Sequence, residues 1–146
     1  MVNNPFSLEG KTILVTGASS GIGRGIAIEC SKMGAKLVIN GRNETRLKET
    51  FDSLDGSGHI FIVSDLTTQD GFDKLVEECP EINGFVPCAG IPKINNVKHI
   101  SRADLSEIVE INQNVPILLT SCRPCRAARR SARRGRRCRG RARPRP

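Results

Sequence analysis

The sequence predicts an α/β fold, a parallel sheet doubly wound by helices, cut short after its fourth strand and followed by a disordered basic tail. Three observations predict it. Strand-length apolar runs fall at 12–17, 36–40, 59–64 and 84–90. Between them, apolar residues recur at helical spacing instead of alternating. The links are short, and strict alternation of strand and helix with short links implies parallel strands joined by right-handed crossovers.

"TILVTG" (12–17) is a continuous apolar run, as expected of a strand covered on both faces. Ile22, Ile26, Cys30 and Met33 then mark a helix face, and Gly34 closes that helix. "KLVIN" (36–40) is the second strand. Asn43 is placed to cap a helix whose apolar face is Leu47, Phe51 and Leu54. "GSG" (56–58) is a turn and "HIFIVS" (59–64) the third strand. Phe72, Leu75, Val76 and Cys79 predict a further helix, stopped by Pro80. "GFVPCAG" (84–90) is the fourth strand. Ser101 and Asp104 have capping-box spacing ahead of one long helix carrying Leu105, Ile108, Val109, Asn112 and Val115.

"TGASSGIG" (16–23) stands where the first strand hands over to the first helix. A dinucleotide-binding loop needs glycine there for three reasons. Gly17 permits the tight turn, Gly21 lets the backbone approach a pyrophosphate, and Gly23 allows close packing of helix on strand. The free N–H groups and dipole of the helix start hold phosphate, and Ser19 and Ser20 add hydroxyls. The fold expected is therefore a doubly wound, nucleotide-binding parallel sheet. An NAD site wants a carboxylate about 20 residues past this loop, and an NADP site wants an arginine. After the second strand the chain reads "NGRNE", with Arg42 just past the strand and no acid at its end. Glu44 competes by count, but falls in a first helical turn where the dipole already favours a carboxylate. The expectation is NADP, with NAD the less favoured alternative.

"TGASSGIG", "SDLT" (64–67), "CAG" (88–90) and "INQN" (111–114), in this order within residues 7–120, resemble the short-chain dehydrogenase/reductase family. The resemblance implies a Rossmann-type fold, a nicotinamide cofactor and hydride exchange between an alcohol and a carbonyl, of the 3-oxoacyl-acyl-carrier-protein reductase type. It implies a small carbonyl or alcohol substrate and a homo-oligomer in the full-length parent. It implies that Asp65 contacts the adenine and that Ile22, Leu66, Ala89 and Gly90 border the cofactor. Asp65 also suits an Asx turn after the strand. Pro116 cannot donate to the carbonyl of Asn112, and the resemblance makes that Asn the anchor of a proton-relay water. One departure is visible: Pro87 and Cys88 stand where the family carries two Asn, so an Asn that ties neighbouring strands is missing.

The resemblance also implies a Tyr as proton donor, a Lys four residues on, and a Ser. The sequence has no Tyr, no Lys after Lys98, and no fifth strand to carry the Ser. Arg does not substitute as the acid, because it does not deprotonate in proteins. The expected activity is cofactor binding without turnover.

Charge divides the chain into the same two parts. Residues 1–121 hold 11 Lys and Arg against all 15 Asp and Glu, a net −4, whereas 122–146 hold 12 Arg and no acid, a net +12. The first part is expected to be an incomplete NAD(P)-binding domain. The second has no apolar residue beyond Ala and Cys and is expected to be disordered. The change from Ile, Asn and Lys to Arg, Ala, Pro and Gly falls mid-helix, where no domain boundary belongs. The simplest reading is a frame-shifted or joined segment. The alternative is a nucleic-acid-binding arm working non-specifically through phosphates, without aromatics for base stacking. Cys122 and Cys125 form a CxxC, but only Cys138 follows, too few for a zinc set, so no metal is expected. His59 and His99 are isolated and read as ordinary side chains. No apolar run reaches membrane-spanning length and no secretory signal opens the chain, so cytoplasm is the expected compartment.

Overall fold

The computed structural model describes residues 5–92 and 100–122. Both readings of the Arg-rich tail concern 123–146, which lie outside the described residues, as do Lys98 and His99. The described chain runs β1 (Thr12–Thr16), α1 (Gly21–Lys32), β2 (Lys36–Gly41), α2 (Glu44–Asp52), β3 (Ile60–Val63), α3 (Gln69–Glu78), β4 (Gly84–Pro87), α4 (Arg102–Val109), a π-helical turn (Glu110–Asn114) and α5 (Val115–Ser121). The strands form one parallel sheet in the order β3-β2-β1-β4.

The apolar runs are covered on both faces, as their continuity requires. Side chains alternate across a strand. Ile13, Val15, Leu37 and Ile39 therefore pack with Ala27 of α1 and Leu47 of α2. Leu14, Val38 and Ile62 pack on the other face with Leu75 of α3 and with Ile111, Val115 and Leu119. Phe51 of α2 meets Phe61 of β3 with ring centroids 5.1 Å apart, a tilted pair. Burying each large aliphatic residue contributes about 1.5–3 kcal/mol. This two-sided core holds the glycine turn and the C-terminal strand ends in fixed relation.

Helix starts follow local chemistry. Asn43 Oδ1 accepts from Arg46 N–H, and Thr68 Oγ1 accepts from Gly71 N–H. Ser101 and Asp104 form the reciprocal capping box. His59 is a structural side chain: its Nδ1 accepts from Leu37 N–H at 3.0 Å, and its Nε2 lies 2.9 Å from the Asp55 carbonyl.

Two expected helix faces are different in the structure. The buried residues of α1 are Gly23, Ala27 and Ser31, while Ile22 is 77% exposed and Met33 is also exposed. The helix lies so close to the glycine turn and sheet that small residues face inward, and a Cβ on Gly23 would collide with the Gly17 carbonyl. The long helix expected over the "INQN" region is instead α4, a π turn and α5. Val115 N–H donates to the Glu110 carbonyl, five residues back, and Pro116 follows directly in the first turn of α5. The extra residue rotates the stripe, so that Ile111, Val115 and Leu119 are buried while Leu105, Val109 and Asn112 are exposed.

Candidate functional site

The C-terminal ends of the strands open onto a cavity of about 390 Å³. It lies where a doubly wound sheet binds its ligands, and its size suits a small-molecule site. Its walls come from the β1–α1 turn, the β2–α2 link, the segment after β3 and the segment after β4.

The β1–α1 turn is shaped by two left-handed glycines, Gly17 (φ +68°) and Gly21 (φ +56°). A Cβ on Gly17 would lie 2.6 Å from the backbone of Cys88 and Ala89, so the turn rests directly on the chain leaving β4. A Cβ on Gly21 would meet nothing within 4 Å. Its glycine is required by the backbone turn. The loop is pinned from two sides, by Ala18 N–H donating to the Asn40 carbonyl (2.9 Å) and by the buried Thr50 hydroxyl donating to the Ala18 carbonyl (3.0 Å). Ser20 stands at the N-cap of α1 without a side-chain cap bond, and no acid occupies the first turn. The first helical amides thus face the cavity side without a capping oxygen, unlike those of α2, α3 and α4.

Beside the turn, at the next corner, Gly41 ends β2, and a Cβ there would lie 3.0 Å from Ser19 Oγ. Arg42 and Arg46 line this corner, and Glu44 does not. Asn40 is buried at the strand end and donates to the Ile62 carbonyl (3.0 Å) and Ser64 Oγ (2.8 Å), which locks β2 to β3 beside the cavity. Asp65 follows β3. Its Oδ1 accepts from Thr67 N–H (3.0 Å) and the Thr67 hydroxyl (2.7 Å), forming an Asx turn, while its Oδ2 lies 3.8 Å from Arg42 Nη1. Partial burial pushes the Asp65 carboxyl up, but the two Thr67 bonds and the Arg42 charge outweigh it and hold the carboxyl below its ordinary range.

β4 is tied to β1 at both of its ends. Ala89 N–H donates to Thr16 Oγ1 at 3.3 Å, and Asn83 exchanges bonds with the Thr12 backbone. These contacts join β1 and β4 in a chain that carries Pro87 and Cys88. Farther on, Asn112 clasps one residue by both its groups: its Oδ1 accepts from Ile91 N–H (3.0 Å) and its Nδ2 donates to the Ile91 carbonyl (3.2 Å).

The structure brings Gly17, Ser19, Ser20, Ile22, Gly23, Arg42, Asp65, Leu66, Ala89 and Gly90 to one cavity wall. Gly21 and Asn112 are not among the lining residues. Sequence reasoning missed Asn40, Asn43, Arg46, Ser64, Thr67, Cys88, Ile91 and Ile111, which also line the cavity. A polar residue ending an apolar strand was the available signal for Asn40. For Arg46 it was a second arginine four residues beyond the first. Among the described residues no group of three or more His, Cys, Asp and Glu side chains could hold a metal, and no helix is long and apolar enough to cross a membrane.

Comparison with known proteins is consistent with this geometry. The pattern describing short chain dehydrogenases matches residues 11–125. The chain is 32% identical over 114 residues to the 3-oxoacyl-acyl-carrier-protein reductase FabG of Rickettsia bellii, covering 78% of this chain and 47% of that protein. It is 38% identical over 90 residues to an uncharacterized oxidoreductase, YvaG, of Bacillus subtilis, covering 59% of this chain and 34% of that one. Among solved structures, a short chain dehydrogenase/reductase family protein superposes with a TM-score of 0.75 at 30% identity, over 83% of this chain and 51% of that chain. The L-sorbose reductase of Gluconobacter frateurii, complexed with NADPH and L-sorbose, superposes with a TM-score of 0.75 at 27% identity, over 80% of this chain and 47% of that chain. The chain spans about half the length of the FabG protein and of these two structures, and about a third of YvaG.

Proposed function

Because the chain belongs to the short-chain dehydrogenase family of oxidoreductases, we propose that it binds NADP(H) in the cavity at the strand ends and does not itself turn over an alcohol or carbonyl. The observation that carries the reading is the pairing of two features in one cavity. One end has the uncapped amides of α1 over a glycine turn, and the other has two guanidinium groups and no acid at the β2 terminus. The residues fit the group. Gly21 leaves open space in front of the helix start, as a pyrophosphate requires, and Gly41 adds no side chain to the ribose corner. When bound, a nicotinamide cofactor supplies a hydride donor or acceptor.

The chain's own residues would bind and orient it. Gly17, Ser19, Ser20, Gly21, Ile22 and Gly23 would hold the pyrophosphate, Arg42 the 2′-phosphate, Asp65 and Leu66 the adenine, and Ala89 and Gly90 the nicotinamide half. Asn112 would fix the segment at Ile91 beside that half. Turnover is absent from the reading because the 146 residues contain no Tyr and no Lys beyond Lys98. General acid catalysis alone contributes about 10²–10⁴-fold. The parent reaction of this reading is alcohol–carbonyl hydride transfer of the 3-oxoacyl-acyl-carrier-protein reductase type, which the similarity to FabG supports.

The test is titration of the 146-residue chain with NADPH and NADH by cofactor fluorescence, with ketone reduction followed in parallel. NADPH should bind about 10–100-fold more tightly, the range of a charge-assisted contact of about 1.5–3 kcal/mol. Arg42→Ala should remove most of that preference, and no substrate should be consumed. Equal affinity for the two cofactors, or steady ketone reduction by a homogeneous sample, overturns the reading.

A further inference from the structure

Arg46 lines the ribose corner of the cavity beside Arg42, yet the two arginines are placed differently. Arg42 Nη1 lies 3.8 Å from Asp65 Oδ2, so part of its charge is already answered within the chain. Arg24, the other arginine near α2, is occupied by Glu49 at 3.5 Å. Arg46 makes no ion pair among the described residues. Its backbone is held firmly: its N–H donates to Asn43 Oδ1 at 2.9 Å, and its carbonyl accepts from the Thr50 hydroxyl at 3.1 Å. Thr50 is fully buried and also holds the Ala18 carbonyl of the glycine turn. Arg46 is therefore an exposed guanidinium on an anchored helical turn, aimed at a cavity whose lining holds one other cation and one acid.

A phosphate monoester carries nearly two negative charges at neutral pH and three acceptor oxygens. One guanidinium shared with a carboxylate answers it incompletely. A second, unshared guanidinium on the same wall supplies the missing charge and further donors. We propose that Arg46 is a second specificity-determining residue, forming with Arg42 a two-arginine clamp for a phosphate on the adenosine ribose. The inference rests on the NADP reading above and deepens it. Arg42 reaches the phosphate from the Asp65 side, and Arg46 from the first turn of α2.

The experiment compares the wild-type chain with Arg46→Met, Arg46→Lys and Arg42→Ala, titrated with NADPH and NADH at two salt concentrations. Methionine keeps the aliphatic stem and is a good helix former, and far-UV circular dichroism checks the fold of each variant. Arg46→Met should weaken NADPH about tenfold, change NADH less than twofold, and flatten the salt dependence of NADPH affinity. Arg46→Lys should restore part of the loss, since a lysine keeps the charge without the planar fork. If the wild type prefers NADPH and Arg42→Ala abolishes the preference while Arg46→Met has no effect, the clamp is wrong and the NADP reading survives. If Arg46→Met weakens both cofactors equally, Arg46 acts as general charge and the clamp is likewise refuted. If the wild type itself shows no preference, the NADP reading fails and the clamp falls with it.

Discussion

Three glycines within nine residues should respond to alanine in three different ways, because each is glycine for a different reason. Gly25 is helical, and a Cβ there meets nothing within 4 Å. Gly25→Ala should stabilise the chain by about 0.5–1 kcal/mol through backbone entropy. Gly21 has φ +56° and equally open surroundings. Gly21→Ala should cost about 1–2 kcal/mol, the left-handed strain alone. Gly17 has φ +68°, and its Cβ would stand 2.6 Å from the backbone of Cys88 and Ala89. Reaching normal van der Waals separation requires the two segments to part by about 1 Å. The segment that must yield is held by Ala89 to Thr16 and by Ile91 to Asn112. Overpacking of this kind costs a further 1–3 kcal/mol or so, and Gly17→Ala should therefore lose about 2–5 kcal/mol. That is a large share of the stability of an ordinary domain. The assay is urea unfolding of the three variants in the same chain, followed by circular dichroism, with melting shifts of roughly 4 °C per kcal/mol. Losses for Gly17→Ala and Gly21→Ala that agree within about 0.5 kcal/mol would refute the idea that contact with Cys88 and Ala89, over and above the turn, demands glycine at position 17.

Two more expectations rest on individual contacts. Asn112→Ala removes both bonds to Ile91. It should cost about 1–2 kcal/mol and speed amide exchange at Ile91 more than at Val15, and unchanged exchange at Ile91 would show that the clasp holds nothing. For Asp65, the folded carboxyl titrates below its unfolded value of about 3.9. Its contribution is therefore present above about pH 4 and is lost as pH falls through the lower, folded value. Solvent screening keeps this contribution under about 1 kcal/mol. The stability difference between wild type and Asp65→Asn should shrink as pH is lowered from 6 to 3, and a difference that widens towards acid would reverse the assigned sign.

Residue type and spacing were enough to read the four strands, the first three helices and the chemistry at the helix starts. Apolar runs such as "TILVTG" had no alternation, which left only a strand buried on both faces, and the structure covers both faces of it. Asn43, and Ser101 with Asp104, act on amides three residues away, so spacing alone sufficed to place those caps. The glycine turn was legible for the same reason, since left-handed backbone at Gly17 and Gly21 is a local property. Whatever depends on the neighbour across the gap emerged only on folding. Apolar periodicity assigned α1 the face of Ile22 and Met33, but packing against the glycine turn selected smallness, and Gly23, Ala27 and Ser31 went inward. Pro116 was visible, whereas the π turn that absorbs it and rotates Ile111, Val115 and Leu119 towards Leu14, Val38 and Ile62 was not. Asn40 on β2, Arg46 on α2 and Cys88 after β4 share one cavity only because the strand order is β3-β2-β1-β4. Hydrogen bonds between near neighbours in sequence can be read from spacing, but a cavity wall is assembled from residues that meet only once the sheet has formed.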